Sequence, residues 1–278
     1  MTLGASQRRE PLPGITHEAH KVALFGGAYN NWLAVRAVVA DARRRGVDEI
    51  WFLGDTGGFG PHPDRSVHAL QELGVHLVQG NYDDSVGNSR EDCACGYTDP
   101  RDNHYAQVSY DYTLANTGAP ERAWLAAMPT SARIRLGSHT VHLCHGSPRK
   151  VNEFLWASTT PAGFIGRLCD DWAAHTIVCT HTGIHWARRL EDGRGVVNVG
   201  AVGRPANDGR HEVWYALLEV HGDRLVETFV PVAYDWERLA REMQEEGLPS
   251  AFVETITTGW WTTCLEVLPA RERKAGRH

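Results

Sequence analysis

Six short segments of the chain combine glycine with aspartate, asparagine or histidine. They are residues 25–31 (FGGAYNN), 53–61 (LGDTGGFGP), 79–83 (QGNYD), 144–148 (CHGSP), 179–184 (CTHTGI) and 198–205 (NVGAVGRP). Carboxylate oxygen, amide oxygen and imidazole nitrogen are the ligands that manganese, iron and zinc accept in proteins. Glycine lets the backbone turn tightly and brings its amides close to a ligand. These segments therefore indicate a metal centre.

The predicted elements place these segments at the ends of strands. In the first third of the chain, strands are expected over 21–25, 49–53 and 75–79, with helices over 32–45 and 63–73 between them. In such a βαβαβ arrangement, ligands collect at the carboxyl ends of the strands. Asp55 follows the second of these strands and Asn81 the third, so we expect both residues at that edge of the sheet.

The second half of the chain is richer in strands. They are expected over 133–136, 140–144, 176–179, 195–199, 213–220 and 224–231, with helices around 120–128, 162–174 and 236–246 and another short helix after a turn at 247–249. Residues 84–118 are interpreted as an irregular insertion, either a lid or a spacer, whose aromatic residues favour order. The sequence predicts two stacked sheets flanked by helices. We expect a flexible segment over 1–20, a main domain over 21–235 and a helical extension over 236–278.

The composition is that of an ordinary globular protein. The chain has 278 residues, 42% of them hydrophobic, and a net charge of −6, which gives no reason to expect a nucleic acid as partner. We expect neither a signal peptide nor a membrane span, since no run approaches ~18 apolar residues. Six scattered cysteines do not suggest a disulfide framework, so reduced thiols and a cytoplasmic location are expected. Homo-oligomerisation is compatible with the sequence, but no specific feature argues for it.

In order, the six segments resemble the calcineurin-like metallophosphoesterases. The resemblance is to a small bacterial branch whose loops read GD-(x)-GYGP, GN-x-D, HGSP, GHTH and NPGSVG-P, and it runs from about Lys21 to Pro231. Several motifs in the right order are far more specific than any one of them. The resemblance implies a four-layer α/β/β/α sandwich and hydrolysis of phosphate esters at two metal ions roughly 3.5–4 Å apart.

The same resemblance assigns the ligands of the second metal. It implies that Asp55 bridges the two ions, while Asn81, His145 and His181 complete the second site, and all four residues are present. The positions of the first metal's own ligands hold Gly27, Tyr29 and Gly183 instead. The sequence therefore predicts one metal ion per chain (manganese, iron or zinc) or a first site rebuilt with other residues.

Candidates for a rebuilt first site are Tyr29, His185, Cys93, Cys95 and His104. A tyrosinate suits ferric iron, and thiolates favour zinc or iron. Each candidate also has a plain interpretation. Tyr29 would fill the volume of a lost histidine, the C-x-C pair lacks the second half of a zinc motif, and His185 would be a loop residue.

The leading hypothesis is a metal-dependent phosphoesterase acting on a small phosphate ester. Its catalytic residues would be Asp55, Asn81, His145 and Arg204, with the Arg204 guanidinium pairing with phosphate. Tyr82 stands where the family often has a histidine that protonates the leaving group. With an ordinary pKa of ~10, tyrosine does so poorly at neutral pH. His62 and His104 are substitutes by loop position.

Two other hypotheses remain open at this point. The chain could be an inactive relative that binds a phosphorylated metabolite or a protein partner, because the first metal's ligands are replaced and the tail carries Trp260 and Trp261. It could also be a mononuclear iron enzyme with non-phosphate chemistry, since two histidines and one carboxylate form the ligand set of such enzymes.

Overall fold

The computed structural model describes residues 14–276, in which eleven strands form two sheets. The five-stranded sheet has the order β11-β10-β2-β3-β4 and consists of β2 (Lys21–Phe25), β3 (Glu49–Phe52), β4 (His76–Leu77), β10 (Val213–His221) and β11 (Arg224–Val232). The six-stranded sheet has the order β1-β5-β6-β7-β9-β8. It consists of β1 (His17–Ala19), β5 (Ala132–Leu136), β6 (His139–Leu143), β7 (Thr176–Cys179), β8 (His185–Arg189) and β9 (Gly195–Val199).

The two sheets stack face to face, and β2 shows how the sequence produces this. Its alternate residues Val22 and Leu24 are fully buried against the other sheet, in one apolar cluster with Leu143 and Val178. Side chains alternate between the two faces of a strand, and the residues between them, such as Phe25, pack against helices. Burial on both faces explains why β2 reads as a continuous apolar run rather than an alternating one.

Helices cover both outer faces of the stack. Helices α1 (Trp32–Arg44) and α2 (Pro63–Leu73) pack on the five-stranded sheet, and α6 (Ala162–Asp171) packs on the six-stranded sheet. The side chain of Asn31 caps α1 by accepting a hydrogen bond of 3.0 Å from the Ala34 backbone N–H. The predicted four-layer α/β/β/α sandwich is confirmed.

Six further helices complete the described part of the chain. They are α3 (Asn81–Gly87), α4 (Pro100–Ala115), α5 (Ala119–Ala126), α7 (Trp236–Glu245), α8 (Ser250–Thr258) and α9 (Ala270–Ala275). The extension returns to the main body, because Trp261 donates hydrogen bonds from Nε1 to the Pro205 carbonyl (2.7 Å) and from its backbone N–H to Asn207 Oδ1 (2.9 Å). None of the helices in residues 14–276 is long and apolar enough to span a membrane.

The structure differs from the sequence-based expectation in the insertion. Most of residues 84–118 is helical, since α4 spans sixteen residues and α3 and α5 flank it. Helix α4 starts cleanly at Pro100, where Asp99 accepts a hydrogen bond of 2.8 Å from the Arg101 backbone N–H. Its Tyr, Thr and Ser residues do not form an apolar stripe of helical period, which is why the pattern did not predict it.

Two further expectations need correction or limits. Cys93 and Cys95 form a disulfide, with Cα atoms 5.3 Å apart, so the expectation that all thiols are reduced is not met. The positive φ of 50° at Ala94 turns the chain so that both cysteines meet. Of the expected flexible segment over 1–20, residues 1–13 lie outside the described residues, and His17–Ala19 forms strand β1 by parallel pairing with β5.

The close approach of the loops after β3 and β4 gives a stability prediction. A Cβ on Gly54 (φ +88°) would lie 2.2 Å from the Gly80 backbone nitrogen. Gly74 also has a positive φ, of +61°, but an added Cβ there has no atom within 4 Å. We expect Gly74→Ala to cost about 1–2 kcal/mol of backbone strain. Gly54→Ala should cost about 1–3 kcal/mol more, because the loops must separate.

The measurement is chemical denaturation of both variants beside the wild type. Equal losses of unfolding free energy in the two variants would show that the loops do not need this contact.

Candidate metal centre

Three potential metal ligands converge where strands of both sheets end. Asp55 follows β3, His145 follows β6 and His181 follows β7, and their ligand atoms all lie within 4.8 Å of one another. His145 Nε2 lies 3.2 Å from Asp55 Oδ2 and 3.2 Å from His181 Nδ1. All three residues are buried. Two imidazole nitrogens and a carboxylate oxygen thus face one common point.

Hydrogen bonds from the surrounding backbone hold this geometry. His145 Nδ1 donates to the Leu53 carbonyl at 2.6 Å, so Nε2 is left to face Asp55 and His181. The backbone N–H of Tyr82 donates to Asp55 Oδ1 at 3.0 Å, which leaves Oδ2 toward the histidines. Outer hydrogen bonds of this kind fix ring orientation and tautomer around metal ions.

Asn81 precedes Tyr82, whose backbone N–H binds Asp55, and it offers a further candidate donor. Its Nδ2 donates to the Cys93 carbonyl at 2.8 Å, while its Oδ1 is buried and has no hydrogen-bond partner among the described residues. A buried polar atom without a partner costs about 1–3 kcal/mol, and a cation would satisfy it. The residues present therefore fit a divalent metal ion, and Asp55, Asn81, His145 and His181 would hold it.

The charges of the cluster also suit the binding of a metal ion. Burial would raise the pKa of Asp55, but the adjacent His145 outweighs burial and holds this pKa below its ordinary value. Burial, followed by the nearby His145, lowers the pKa of His181 to about 3. At neutral pH Asp55 is therefore a carboxylate and His181 an unprotonated imidazole, the forms that bind metal ions. For His145, the adjacent Asp55 outweighs burial and raises the pKa, so a metal ion would displace the proton of this ring.

The loop that carries Asp55 is fixed by Asp83. The Asp83 carboxylate accepts hydrogen bonds from the backbone N–H groups of Asp55 (2.8 Å), Thr56 (2.9 Å) and Gly80 (2.8 Å). Burial and the neighbouring Asp55 raise the pKa of Asp83 to about 6, while the three backbone donors favour its charged form. This single side chain joins the two loops that carry Asp55 and Asn81.

Aromatic side chains lie against Gly27 and Gly183, where the family resemblance implies ligands of a first metal. A Cβ on Gly27 would lie 3.0 Å from Tyr29 Cζ, and a Cβ on Gly183 would lie 2.9 Å from Trp261 Cη2 and 3.6 Å from Arg204 Nη2. Tyr29 and Trp261 thus occupy the space into which ligand side chains would extend. Burial raises the pKa of Tyr29 well above its ordinary value, so its phenol stays protonated.

The other candidates for a rebuilt first site have different surroundings. His185 lies in β8 and stacks on Trp214, with ring centroids 4.6 Å apart, while His104 is exposed on α4. The disulfide leaves neither Cys93 nor Cys95 with a free thiolate, although Cys95 lines the cavity beside the cluster. Of these five candidates, the structure brings only Tyr29 and Cys95 to the cavity.

That cavity has a volume of about 50 Å³ and opens on the metal-ligand cluster. Asp55, His181, Tyr29 and Arg204 line it, together with residues of the C-terminal extension: Phe252, Thr263 and Cys264. No sequence motif identifies these extension residues, or the nearby Trp261, as part of the site. His62, the proposed substitute proton donor, lies instead at the start of α2, 3.7 Å from Glu242.

Arg204 is the most unusual residue of this cavity. It is only 6% exposed, and its guanidinium carbon lies 3.5 Å from the centroid of the Trp261 ring. Its Nε is buried without a hydrogen-bond partner, and no carboxylate pairs with it among residues 14–276. A buried cation is costly unless it is paired. Arg204 is therefore a candidate residue for binding an anion.

Comparison with known proteins agrees with the fold. Residues 16–223 match the calcineurin-like phosphoesterase superfamily domain. The uncharacterized protein MJ0912 of Methanocaldococcus jannaschii is 25% identical over 86% of this chain and 98% of its own. A metallophosphoesterase from Sphaerobacter thermophilus is 27% identical, with a TM-score of 0.65 over 87% of this chain and 99% of that one. The hypothetical protein PH1004 from Pyrococcus horikoshii is 19% identical but has the same fold, with a TM-score of 0.72 over 87% of this chain and 99% of its own.

The chain belongs to the calcineurin-like phosphoesterase superfamily. The family is one of hydrolases that normally bind divalent metal ions, and the cluster of Asp55, His145 and His181 is a candidate centre for them.

The orphaned amide oxygen of Asn81 gives a direct prediction for metal binding. Asn81→Ala removes one donor, so we expect affinity for Mn²⁺ to fall by at least ~100-fold, since even outer hydrogen-bond partners contribute about 10–100-fold. Asn88→Ala is the matched control, because Asn88 follows the same helix but is exposed, and its side chain donates hydrogen bonds to Asp84. Isothermal titration calorimetry measures both variants. Wild-type affinity in Asn81→Ala would exclude this residue as a ligand.

Proposed function

We propose that the chain is a phosphoesterase that uses one divalent metal ion together with the guanidinium of Arg204. The observation that carries this proposal is the position of that guanidinium. It lines the same cavity as Asp55 and His181, and it approaches the place where a Gly183 side chain would extend. In two-metal relatives this side of the centre would hold the first ion. Arg204 would therefore supply a fixed positive charge where this chain lacks the ligands for a metal.

The proposal gives roles to Asp55, Asn81, Arg204 and Trp261. A bound metal ion (manganese, iron or zinc) would polarise the phosphoryl group and lower the pKa of water. Asp55 and Asn81 would orient the attacking water, and Arg204 would hold phosphoryl oxygens through its planar fork of donors. Trp261 holds the guanidinium in place by stacking on it. The cavity of about 50 Å³ has room for a small polar group of a substrate.

Four residues that line the cavity, Tyr29, Tyr82, Tyr97 and His181, are poorly suited to protonate a leaving group. Burial raises the pKa values of Tyr29, Tyr82 and Tyr97, and the low pKa of His181 leaves it without a proton. The Tyr82 hydroxyl instead donates to the Ala106 carbonyl at 3.3 Å. General acids work best with a pKa near the operating pH. The proposed substrate is therefore a small phosphate ester or anhydride whose leaving group departs as a stable anion.

The proposal predicts that metal binding and phosphate binding separate on mutation. In Arg204→Ala we expect full metal occupancy and a fall in kcat/KM of about 10²–10³-fold, the usual cost of removing one donor to a developing charge. Asp55→Asn should lose both metal and activity. Arg210→Ala is the control, because Arg210 stacks near Trp214 and pairs with Asp208 away from the cavity.

Hydrolysis of bis(p-nitrophenyl) phosphate and elemental analysis of each variant provide the two measurements. A metal-loaded wild type that hydrolyses no phosphomonoester, diester or pyrophosphate would contradict the proposal. That outcome would favour the binding-only alternative considered from the sequence.

The absence of a suitable general acid among the cavity residues predicts a steep leaving-group dependence. For a series of aryl phosphates, we expect kcat/KM to fall strongly as the pKa of the leaving phenol rises, because the protein does not protonate the departing oxygen. Tyr82→Phe should keep the same slope. A flat dependence in the wild type would contradict the prediction, and a slope that steepens in Tyr82→Phe would show that Tyr82 acts as an acid.

A further inference from the structure

A second cluster of potential metal ligands consists of the first residues of three strands. His17 is on β1, Glu49 on β3 and His76 on β4, and one ligand atom of each lies within 4.8 Å of the other two. His17 Nδ1 is 2.9 Å from Glu49 Oε1, and the rings of His17 and His76 have centroids 4.3 Å apart. None of the three residues lines the catalytic cavity.

These distances are close to those of a zinc site. In a tetrahedral site with bonds of about 2.0–2.2 Å, the ligand atoms lie roughly 3.3 Å from one another. Side-chain rotations that move the ligand atoms by about an ångström would therefore complete the geometry. The cluster offers two imidazoles and one carboxylate, which is the donor set of a zinc ion that keeps a water molecule as its fourth ligand.

The indole of Trp51 organises all three side chains. The Trp51 ring stacks on His76 with centroids 4.6 Å apart and meets the edge of His17 at 5.1 Å. Its Nε1 donates to Glu49 Oε2 at 2.9 Å, so one carboxylate oxygen is fixed and the other faces the histidines. Trp51 itself is buried. A hydrogen bond to the outer oxygen of a ligating carboxylate is a regular feature of metal sites.

The cluster remains accessible to an ion from solvent. The His17 side chain is 29% exposed and that of Glu49 is 15% exposed.

The position of this cluster also has a structural consequence. Strand β1 is the outermost strand of the six-stranded sheet, and β4 is the outermost strand of the five-stranded sheet. The three side chains therefore lie across the seam between the two sheets, at one edge of the stack.

We propose that His17, Glu49 and His76 bind a Zn²⁺ ion that joins the two sheets at this edge. The pairing of β1 with β5 covers only three residues, and β4 pairs with β3 over only two. An ion held by side chains of both sheets would fasten two short edge strands. Since the ion would bind the folded chain and not the unfolded one, it would raise the melting temperature as zinc is added.

The test compares two histidine variants in the full chain after removal of metal with a chelator. We expect His76→Gln to bind one zinc ion fewer per chain than the wild type and to lose most of the zinc-dependent rise in Tm. His221→Gln is the matched control, because His221 lies 3.5 Å from Glu219 but belongs to no described three-ligand cluster. It should retain wild-type stoichiometry. Glu49→Gln keeps the shape of the side chain and should lower zinc affinity at the site by at least ~10-fold.

Asn81→Ala separates this site from the catalytic centre, because it should leave the additional zinc ion bound. The visible spectrum of the Co²⁺-substituted protein gives an independent readout, since the tetrahedral signal from this site should vanish in His76→Gln. If His76→Gln and Glu49→Gln bind as many zinc ions as the wild type and with the same affinity, the proposal is wrong. A zinc ion that His221→Gln also loses would show adventitious binding by surface histidines.

Discussion

The candidate metal centre depends on the close approach of two loops, those that follow β3 and β4. Gly54 and Gly80 lie so near each other that neither can carry a side chain. The Asp83 carboxylate then holds the two loops together, because it accepts hydrogen bonds from three of their backbone N–H groups. Each hydrogen bond to a charged group contributes about 1.5–3 kcal/mol. The geometry of Asp55 and Asn81 is thus set by backbone contacts before any ion binds.

On the opposite side of the centre, aromatic side chains pack against two glycines. Tyr29 packs over Gly27, and Trp261 packs against Gly183, so the two glycines make room for aromatic rings rather than for ligands. The ring of Trp261 in turn supports the guanidinium of Arg204. The guanidinium of Arg204 is part of the protein, so its positive charge needs no ligand residues. Its position does not depend on whether metal ions are available. In the proposed function, the C-terminal extension therefore completes the active site as well as the fold.

The sequence predicted the fold and the cluster residues well where the information is local. Strands ending in glycine-rich turns are visible as short patterns, and parallel strands bring Asp55 and Asn81 to one edge. Helix α4 was not predicted, because its apolar residues do not follow a helical period. The contact between Trp261 and Pro205 spans 56 positions and has no local signal. The disulfide between Cys93 and Cys95 was likewise missed, since it depends on a backbone turn at Ala94 and not on composition.

The central claim is that one metal ion and one arginine occupy the places of two metal ions. Anomalous X-ray diffraction from crystals grown with Mn²⁺ tests it most directly, because it locates each ion separately and distinguishes the cavity from the histidine cluster at the edge of the sheets. The account predicts one anomalous peak in the cavity, bound by Asp55, Asn81, His145 and His181, with the Arg204 guanidinium on its open side. A second peak roughly 3.5–4 Å away, beside Tyr29 and Gly183, would contradict it.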